Sequence, residues 1–300
     1  MTIPAVQWKD VSFVVPRGFW RRATSLVRRI DIQVPVGETL GLIGANGAGK
    51  TTTLKLGCGL LRPASGEALI RGKSAFAAES RNSVGFVSEQ QHIYPHLTLE
   101  EWLNFMAHLS GIPGHSSRDQ IQRVTEQLSL ETKRHSRMGT FSKGQLQRAG
   151  IAQALMGEPE ILFLDEPMSG LDPLWRSRVL NLLLDYQKSG RTLIFSSHIL
   201  SDVFRLSNRV VMIRSGEIQW QGGVKDLMAQ RNQYQVVFQS FPQPLMEQIP
   251  DFQVEAMPDG SWTGIVDAEH KTRLCRLALE HTLELESMTP LPVELERLNQ

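Results

Sequence analysis

TLGLIGANGAGKTTTLKLGCGLL, residues 39–61, joins an apolar run to a helical run through a loop punctuated by Gly44, Gly47 and Gly49. From Gly44 to Thr51 the loop reads GANGAGKT and fits G-x-x-x-x-G-K-[ST]. TLGLI before it has the length and composition of a buried strand, and TTLKLGCGLL after it reads as a helix. The chemistry needs that order. Glycines allow the backbone N–H groups of Gly44, Ala45, Asn46, Gly47, Ala48 and Gly49 to curl round phosphate oxygens, and the helix N-terminus adds partial positive charge. Lys50 would reach the β- and γ-phosphates, the Thr51 hydroxyl would coordinate Mg²⁺, and Thr52 extends the helix start. The stretch is the cradle of a nucleoside triphosphate, and it places the chain in the α/β class.

Three more short apolar runs lie downstream: ILFLD (161–165), TLIFSS (192–197) and RVVMI (209–213). Each is too short for a buried helix and is flanked by polar or turn residues, as strands of a mostly parallel, doubly covered sheet are. ILFLDEP places Asp165 at the carboxyl end of such a strand, where ligands bind in open α/β sheets. Asp165 would hold Mg²⁺ through water, and Glu166 would orient or activate an attacking water. Between the strands, PLWRSRVLNLLLDYQKSG is a helix whose Val179, Leu180, Leu183, Leu184 and Tyr186 favour one side. Residues 98–156 hold no convincing strand, so about 90–156 reads as a helical insertion into the sheet domain.

The pattern changes after the Gly-Gly pair at 222–223, which divides a domain of residues 1–225 from one of 226–300. The second part reads strand (QYQVVFQS), short helix (PLMEQI), hairpin (FQVEAMPDGSWTGIV), amphipathic helix (EHKTRLCRLALEH) and strand (LELESMTP). That β-α-β-β-α-β order suits a small ferredoxin-like α+β domain. Bulk composition excludes several classes. The 300 residues carry a net charge of +1, which gives no reason to expect nucleic-acid binding. Cys58 and Cys275 have no metal spacing and make no disulfide framework. No apolar run is long enough to span a membrane, and MTIPAVQWKD lacks the apolar core of a secretion signal, so a soluble, cytosolic chain is expected.

Taken in order, these motifs resemble the ATP-binding subunit of ATP-binding cassette (ABC) transporters, over roughly residues 5–225. FSKGQ (141–145), just before a helical run, resembles that family's signature loop, usually written LSGGQ. The resemblance implies two cassettes dimerised head to tail. Ser142, Lys143, Gly144 and Gln145 of one copy would then close on the γ-phosphate held by the other. SGLD (169–172) resembles the D-loop, with Asp172 at the dimer seam, and His198 in TLIFSSHIL resembles the switch histidine that contacts the γ-phosphate. Lys50, Glu166 and His198 would be the catalytic set. The implied protein is an ATPase using ATP and Mg²⁺. It would be peripheral at the cytoplasmic face of the membrane and would drive a separate transmembrane permease. A basic SKG-type signature and the C-terminal region favour an exporter. A soluble cassette acting on ribosomes or DNA would use the same chemistry, but it usually shows tandem cassettes or long coiled coils.

Some positions depart from the family pattern. Phe141 and Lys143 replace Leu and Gly in the signature loop. Glu89, with Gln90 beside it, stands where the Q-loop normally has Gln. Val15 aligns with the adenine-stacking aromatic, for which Phe13, Phe19 or Trp20 are substitutes. RGFWRRATSLVRRI alternates Arg17, Arg21, Arg22, Arg28 and Arg29 with apolar residues. It reads either as a surface for lipid headgroups or a membrane partner, or as an ordinary solvated hairpin or helix.

Overall fold

The computed structural model describes residues 3–17, 21–91, 93–229, 233–240, 242–249 and 252–290. They form two compact units, Met1–Gly222 and Gly223–Gln300. The first unit opens with a long hairpin of β1 (Val6–Arg17) and β2 (Arg21–Val34), followed by β3 (Thr39–Ile43), α1 (Lys50–Gly57), β4 (Ser65–Ile70) and the short β5 (Lys73–Ser74). Strands β2-β1-β4-β5 make an antiparallel sheet in that order. One of its faces buries Val6, Trp8, Val11, Ile30, Ile32 and Val34. The register of β1 on β2 breaks between Trp8 and Val11, beside Asp10 at φ 47°. A bulge there shifts the inward residues from a spacing of two to a spacing of three.

Further along come β6 (Val84–Val87), α2 (Leu99–Leu109), α3 (Gly114–Gln127), α4 (Lys143–Leu155), β7 (Ile161–Asp165), α5 (Pro173–Lys188), β8 (Thr192–Ser196), α6 (Leu200–Leu206), β9 (Arg209–Arg214) and β10 (Glu217–Gly223). The second sheet runs β10-β9-β3-β8-β7-β6, with β9, β3, β8, β7 and β6 parallel. Every residue of β3, β7 and β8 is buried, as the unbroken apolar runs require. Ser215 (φ 50°) and Gly216 (φ 83°) form a two-residue turn that folds β10 back antiparallel, so the sheet is mixed. Between β6 and β7 the chain is helical, with one isolated bridge, Thr98 to Arg137, among the described residues.

Trp8 locks the two sheets together. Its indole Nε1–H donates to the Thr53 carbonyl of α1 at 3.0 Å, and its ring meets Phe163 of β7 edge-on with centroids 6.5 Å apart. A Cβ on Gly57 would lie 2.1 Å from that indole, so the residue ending α1 has to be glycine for the helix to sit this close.

The second unit begins with α7 (Val224–Ala229) and continues as β11 (Gln233–Phe238), α8 (Gln243–Gln248), β12 (Val254–Ala256), β13 (Trp262–Asp267), α9 (Ala268–Glu280) and β14 (Leu285–Pro290). Its sheet order is β12-β13-β11-β14, antiparallel throughout. It closes over its own core, in which Val236, Phe238, Leu245, Phe252 and Leu274 are prominent. This is the ferredoxin-like arrangement expected of the alternating elements. Among the described residues no helix is long and apolar enough to cross a membrane.

Candidate nucleotide site

β3 delivers the chain to Gly44, where a Cβ would meet the Ile213 carbonyl oxygen at 2.2 Å. The loop returns to Gly49, at φ 111°, which stands at the N-terminus of α1. Only glycine allows this backbone to turn so tightly between β9 and the β1–β2 hairpin. Lys50 is buried, and its Nζ donates to the carbonyls of Gly44 at 2.7 Å and Ala45 at 3.2 Å. The loop and the first turn of α1, through Asn46, Gly47, Gly49, Lys50, Thr51 and Thr52, form one wall of a cleft of about 460 Å³. Glu89, Glu166, His198 and Leu26 supply the rest of the lining.

Opposite the loop stands Glu166, just past the carboxyl end of β7. Glu166 and its neighbour Asp165 are both buried, and Asp165 lies behind the cleft lining. Ser196, paired with Asp165 across β7 and β8, donates its hydroxyl to Asp165 Oδ1 at 2.7 Å and accepts the Glu166 N–H at 2.9 Å. Glu166 lies at φ 48°, a left-handed conformation that a non-glycine residue holds only under constraint. Its Oε2 is 2.8 Å from His198 Nδ1. Its Oε1 is buried without a hydrogen-bond partner, with Lys50 Nζ at 3.9 Å. A lysine, a half-exposed histidine and an acceptor with free capacity therefore converge on one cleft at a helix N-terminus. That geometry can hold a polyphosphate and present a carboxylate to a water beside it.

Sequence reasoning missed three residues here. Gln147 on α4 donates its side-chain amide to the Pro167 carbonyl at 3.0 Å. Gln91 donates to Gln147 Oε1 at 3.3 Å, so the loop after β6 reaches the chain just past Glu166 through two glutamines. Ser196 is the third. Nothing in the sequence marks it except its place two residues before His198, because its role depends on which strands are neighbours.

The other expected positions lie elsewhere. Ser142 caps α4: its Oγ accepts the Gln145 N–H at 3.3 Å, and Gln145 Oε1 accepts the Ser142 N–H at 2.9 Å. Lys143 runs its stem along Gly170, where a Cβ would lie 2.8 Å from Lys143 Cε, and Gly144 faces the Gly170 carbonyl. Asp172 caps α5 by accepting the Trp175 N–H at 2.9 Å. The FSKGQ loop thus packs on its own chain's SGLD segment, and neither lines the chain's own cleft. Glu89 is exposed and lines the cleft, whereas Gln90 and Val15 do not. Leu26 is the side chain from the first hairpin that does. Phe13 packs on the core. Phe19 and Trp20 lie outside the described residues, as do the side chains of Arg17, Arg21 and Arg22. Arg28 and Arg29 pair with Glu217 and Asp10 of the same chain.

For Mg²⁺ the donors fit in kind. No cluster of three His, Cys, Asp or Glu among the described residues could hold a metal unaided. Mg²⁺ characteristically takes one or two protein oxygens and completes its shell with phosphates and water. Thr51 and Asp165, with Glu166 Oε1 close by, are oxygen donors of that type. A larger hollow, about 650 Å³, lies in the C-terminal unit, but no lysine or arginine lines it to hold a phosphate.

A model of the ABC transporter family matches residues 27–169. An uncharacterized ABC transporter ATP-binding protein from Nostoc is 37% identical over 283 residues, covering 93% of this chain and 84% of the relative. The chain belongs to the ABC transporter ATP-binding family. It is therefore an ATP-binding subunit and an ATPase. The ABC transporter ATP-binding protein NatA of Bacillus subtilis is 31% identical over 210 residues, covering 69% of this chain and 85% of that protein. Among solved structures, that of an ATP-binding subunit of an ABC transporter superposes with a TM-score of 0.67 at 29% identity, covering 75% of this chain and 92% of the other.

Proposed function

We propose that this ABC ATPase hydrolyses MgATP between two head-to-tail copies and so drives a separate transmembrane permease, in the direction of export. The observation that carries the reading is Glu166. It is buried and locally strained, with one oxygen on His198 and the other, free of hydrogen bonds, turned to Lys50 in the phosphate cleft. In this account the loop amides and Lys50 hold the β- and γ-phosphates. Thr51, and Asp165 through a water, would hold a Mg²⁺, which would neutralise phosphate charge. Glu166 orients a water against the γ-phosphorus and takes its proton as the bond to the bridging oxygen breaks, releasing ADP and phosphate. His198 keeps the carboxylate aimed.

Dimerisation is supported by what the cleft lacks. Ser142 to Gln145 form a capped helix start, a ready anion site, yet lie outside their own chain's cleft, so a second copy would bring them to the γ-phosphate. A permease partner is supported by exposed Tyr94, Phe105 and Leu109 in the helical insertion, where the Tyr94 and Phe105 rings meet edge-on in solvent. The export direction rests on the SKG signature and the C-terminal region. The chain would sit peripherally on the cytoplasmic face of the membrane through the permease.

The test is Glu166→Gln. Phosphate release should fall by about 100-fold or more while ATP binding persists. Light scattering should then find an ATP-dependent species of twice the 33.7 kDa chain mass. Undiminished turnover would reject the assignment of Glu166.

A further inference from the structure

We infer that Ser196 is the positioning residue of the hydrolytic centre: its single hydroxyl fixes both the Asp165 carboxylate and the backbone that aims Glu166. The inference rests on the proposed role of Glu166.

Ser196 is fully buried at the end of β8, in register with Asp165 at the end of β7. A serine hydroxyl has one proton to give and can accept others. Here the proton goes to Asp165 Oδ1 at 2.7 Å, and the oxygen accepts the Glu166 N–H at 2.9 Å. Both bonds have good length and are buried, so the hydroxyl has one orientation and carries it to two neighbours. The second neighbour matters more. Glu166 sits at φ 48°, and a residue with a side chain stays there only when its surroundings over-determine the backbone. The bond from Ser196 holds the amide on one side of Glu166, and the Gln147 side chain holds the Pro167 carbonyl on the other. Between these two anchors the side chain projects into the cleft, to His198 at 2.8 Å and towards Lys50. Ser196 does not line the cleft, so it would touch neither ATP nor water. It acts through Asp165 and Glu166. Without the hydroxyl, the Asp165 oxygen and the Glu166 amide lose a buried partner together, and the peptide before Glu166 can shift although the Glu166 carbonyl keeps the Ser169 N–H at 3.0 Å. ATP would still bind, because Lys50 and the loop amides are held independently of Ser196.

Ser196→Ala, Ser196→Thr and Ser196→Val, with Glu166→Gln as reference, separate the hydroxyl from the volume. Thr and Val have nearly the same shape, but only Thr keeps the hydroxyl. Phosphate release gives kcat and KM, and binding of a fluorescent ATP analogue at equilibrium gives affinity. The Ala and Val variants should lose about 10- to 100-fold in kcat, the scale of an unpaired buried polar group expressed in the rate. Their ATP affinity should stay within about threefold, and the Thr variant should recover most of the rate. An Ala or Val variant that turns over as fast as the unmodified protein overturns the inference. So does a loss of ATP binding in step with turnover, or a Thr variant no better than Val, since either would make Ser196 a packing residue only. If Glu166→Gln itself hydrolyses ATP normally, the role of Glu166 fails first. If Glu166→Gln is inactive while Ser196→Ala is not, Ser196 alone is refuted.

Discussion

Lys50 is held by two carbonyls of its own loop and lies 3.9 Å from Glu166 Oε1, so its charge is offset before any phosphate arrives. On binding, the ammonium would exchange carbonyl partners for phosphate oxygens, and charge-assisted bonds of that kind are worth about 1.5–3 kcal/mol. Lys50→Ala should therefore weaken ATP binding by about 10- to 100-fold, measured at equilibrium, and an unchanged affinity would exclude Lys50 from the phosphate site. At the far end of α1, burial pushes the Cys58 thiol up to about 12. Burial disfavours the thiolate, which is the reactive form, so near neutral pH the native protein should resist alkylation at Cys58. Mass spectrometry after N-ethylmaleimide treatment should find Cys58 unmodified until denaturant is added. The residues legible in the sequence were those whose spacing along the chain is itself the signal: Gly44 to Thr51, Asp165 with Glu166, and His198. Ser196, Gln91 and Gln147 were not legible, because their meaning depends on strand register and on a helix crossing a loop, and neither is written in local spacing.

Among the elements, α1 packs on strands of both sheets, and one indole both hydrogen-bonds and abuts it. Trp8 reaches from β1 to the Thr53 carbonyl, lies flush against Gly57 and meets Phe163. Trp8→Ala should cost about 3–5 kcal/mol through the cavity and the lost buried hydrogen bond, read by denaturant unfolding with unfolded chain as the common reference. Gly57→Ala should also destabilise, since its Cβ has no room beside the ring. A change below about 0.5 kcal/mol for Trp8→Ala would mean that α1 is held by something else. The same region shows why one sheet was legible and the other was not. β3, β7 and β8 are buried on both faces, so their residues appear as unbroken apolar runs. β1 buries Val6, Trp8 and Val11, and the bulge beside Asp10 breaks the two-residue period that would have revealed it. The arginine-rich stretch was ambiguous for a related reason. Its strand character comes from pairing with β1, and two of its charges, on Arg28 and Arg29, are met by Glu217 and Asp10.

At the scale of the molecule, the two units have separate hydrophobic cores, Trp8, Phe163 and Leu42 belonging to one and Phe238, Phe252 and Leu274 to the other. ATP binding stabilises only what it binds, so calorimetry should show ATP raising the melting of the Met1–Gly222 unit and leaving that of Gly223–Gln300 unchanged. A shared shift would show the two units unfolding as one. The proposed composite site between two copies makes its own prediction. Lys50→Ala and Ser142→Ala proteins, each impaired alone, should regain part of their turnover when mixed, because a mixed dimer contains one intact pairing of loop and signature. The central claim remains that ATP turnover here drives a membrane partner. The measurement that tests it most directly is recovery of tagged Glu166→Gln protein, held with ATP, from solubilised membranes of the source organism, with mass spectrometry of what accompanies it. The account predicts a polytopic membrane protein in stoichiometric amount. Ribosomal or DNA-repair proteins with no membrane partner would contradict it.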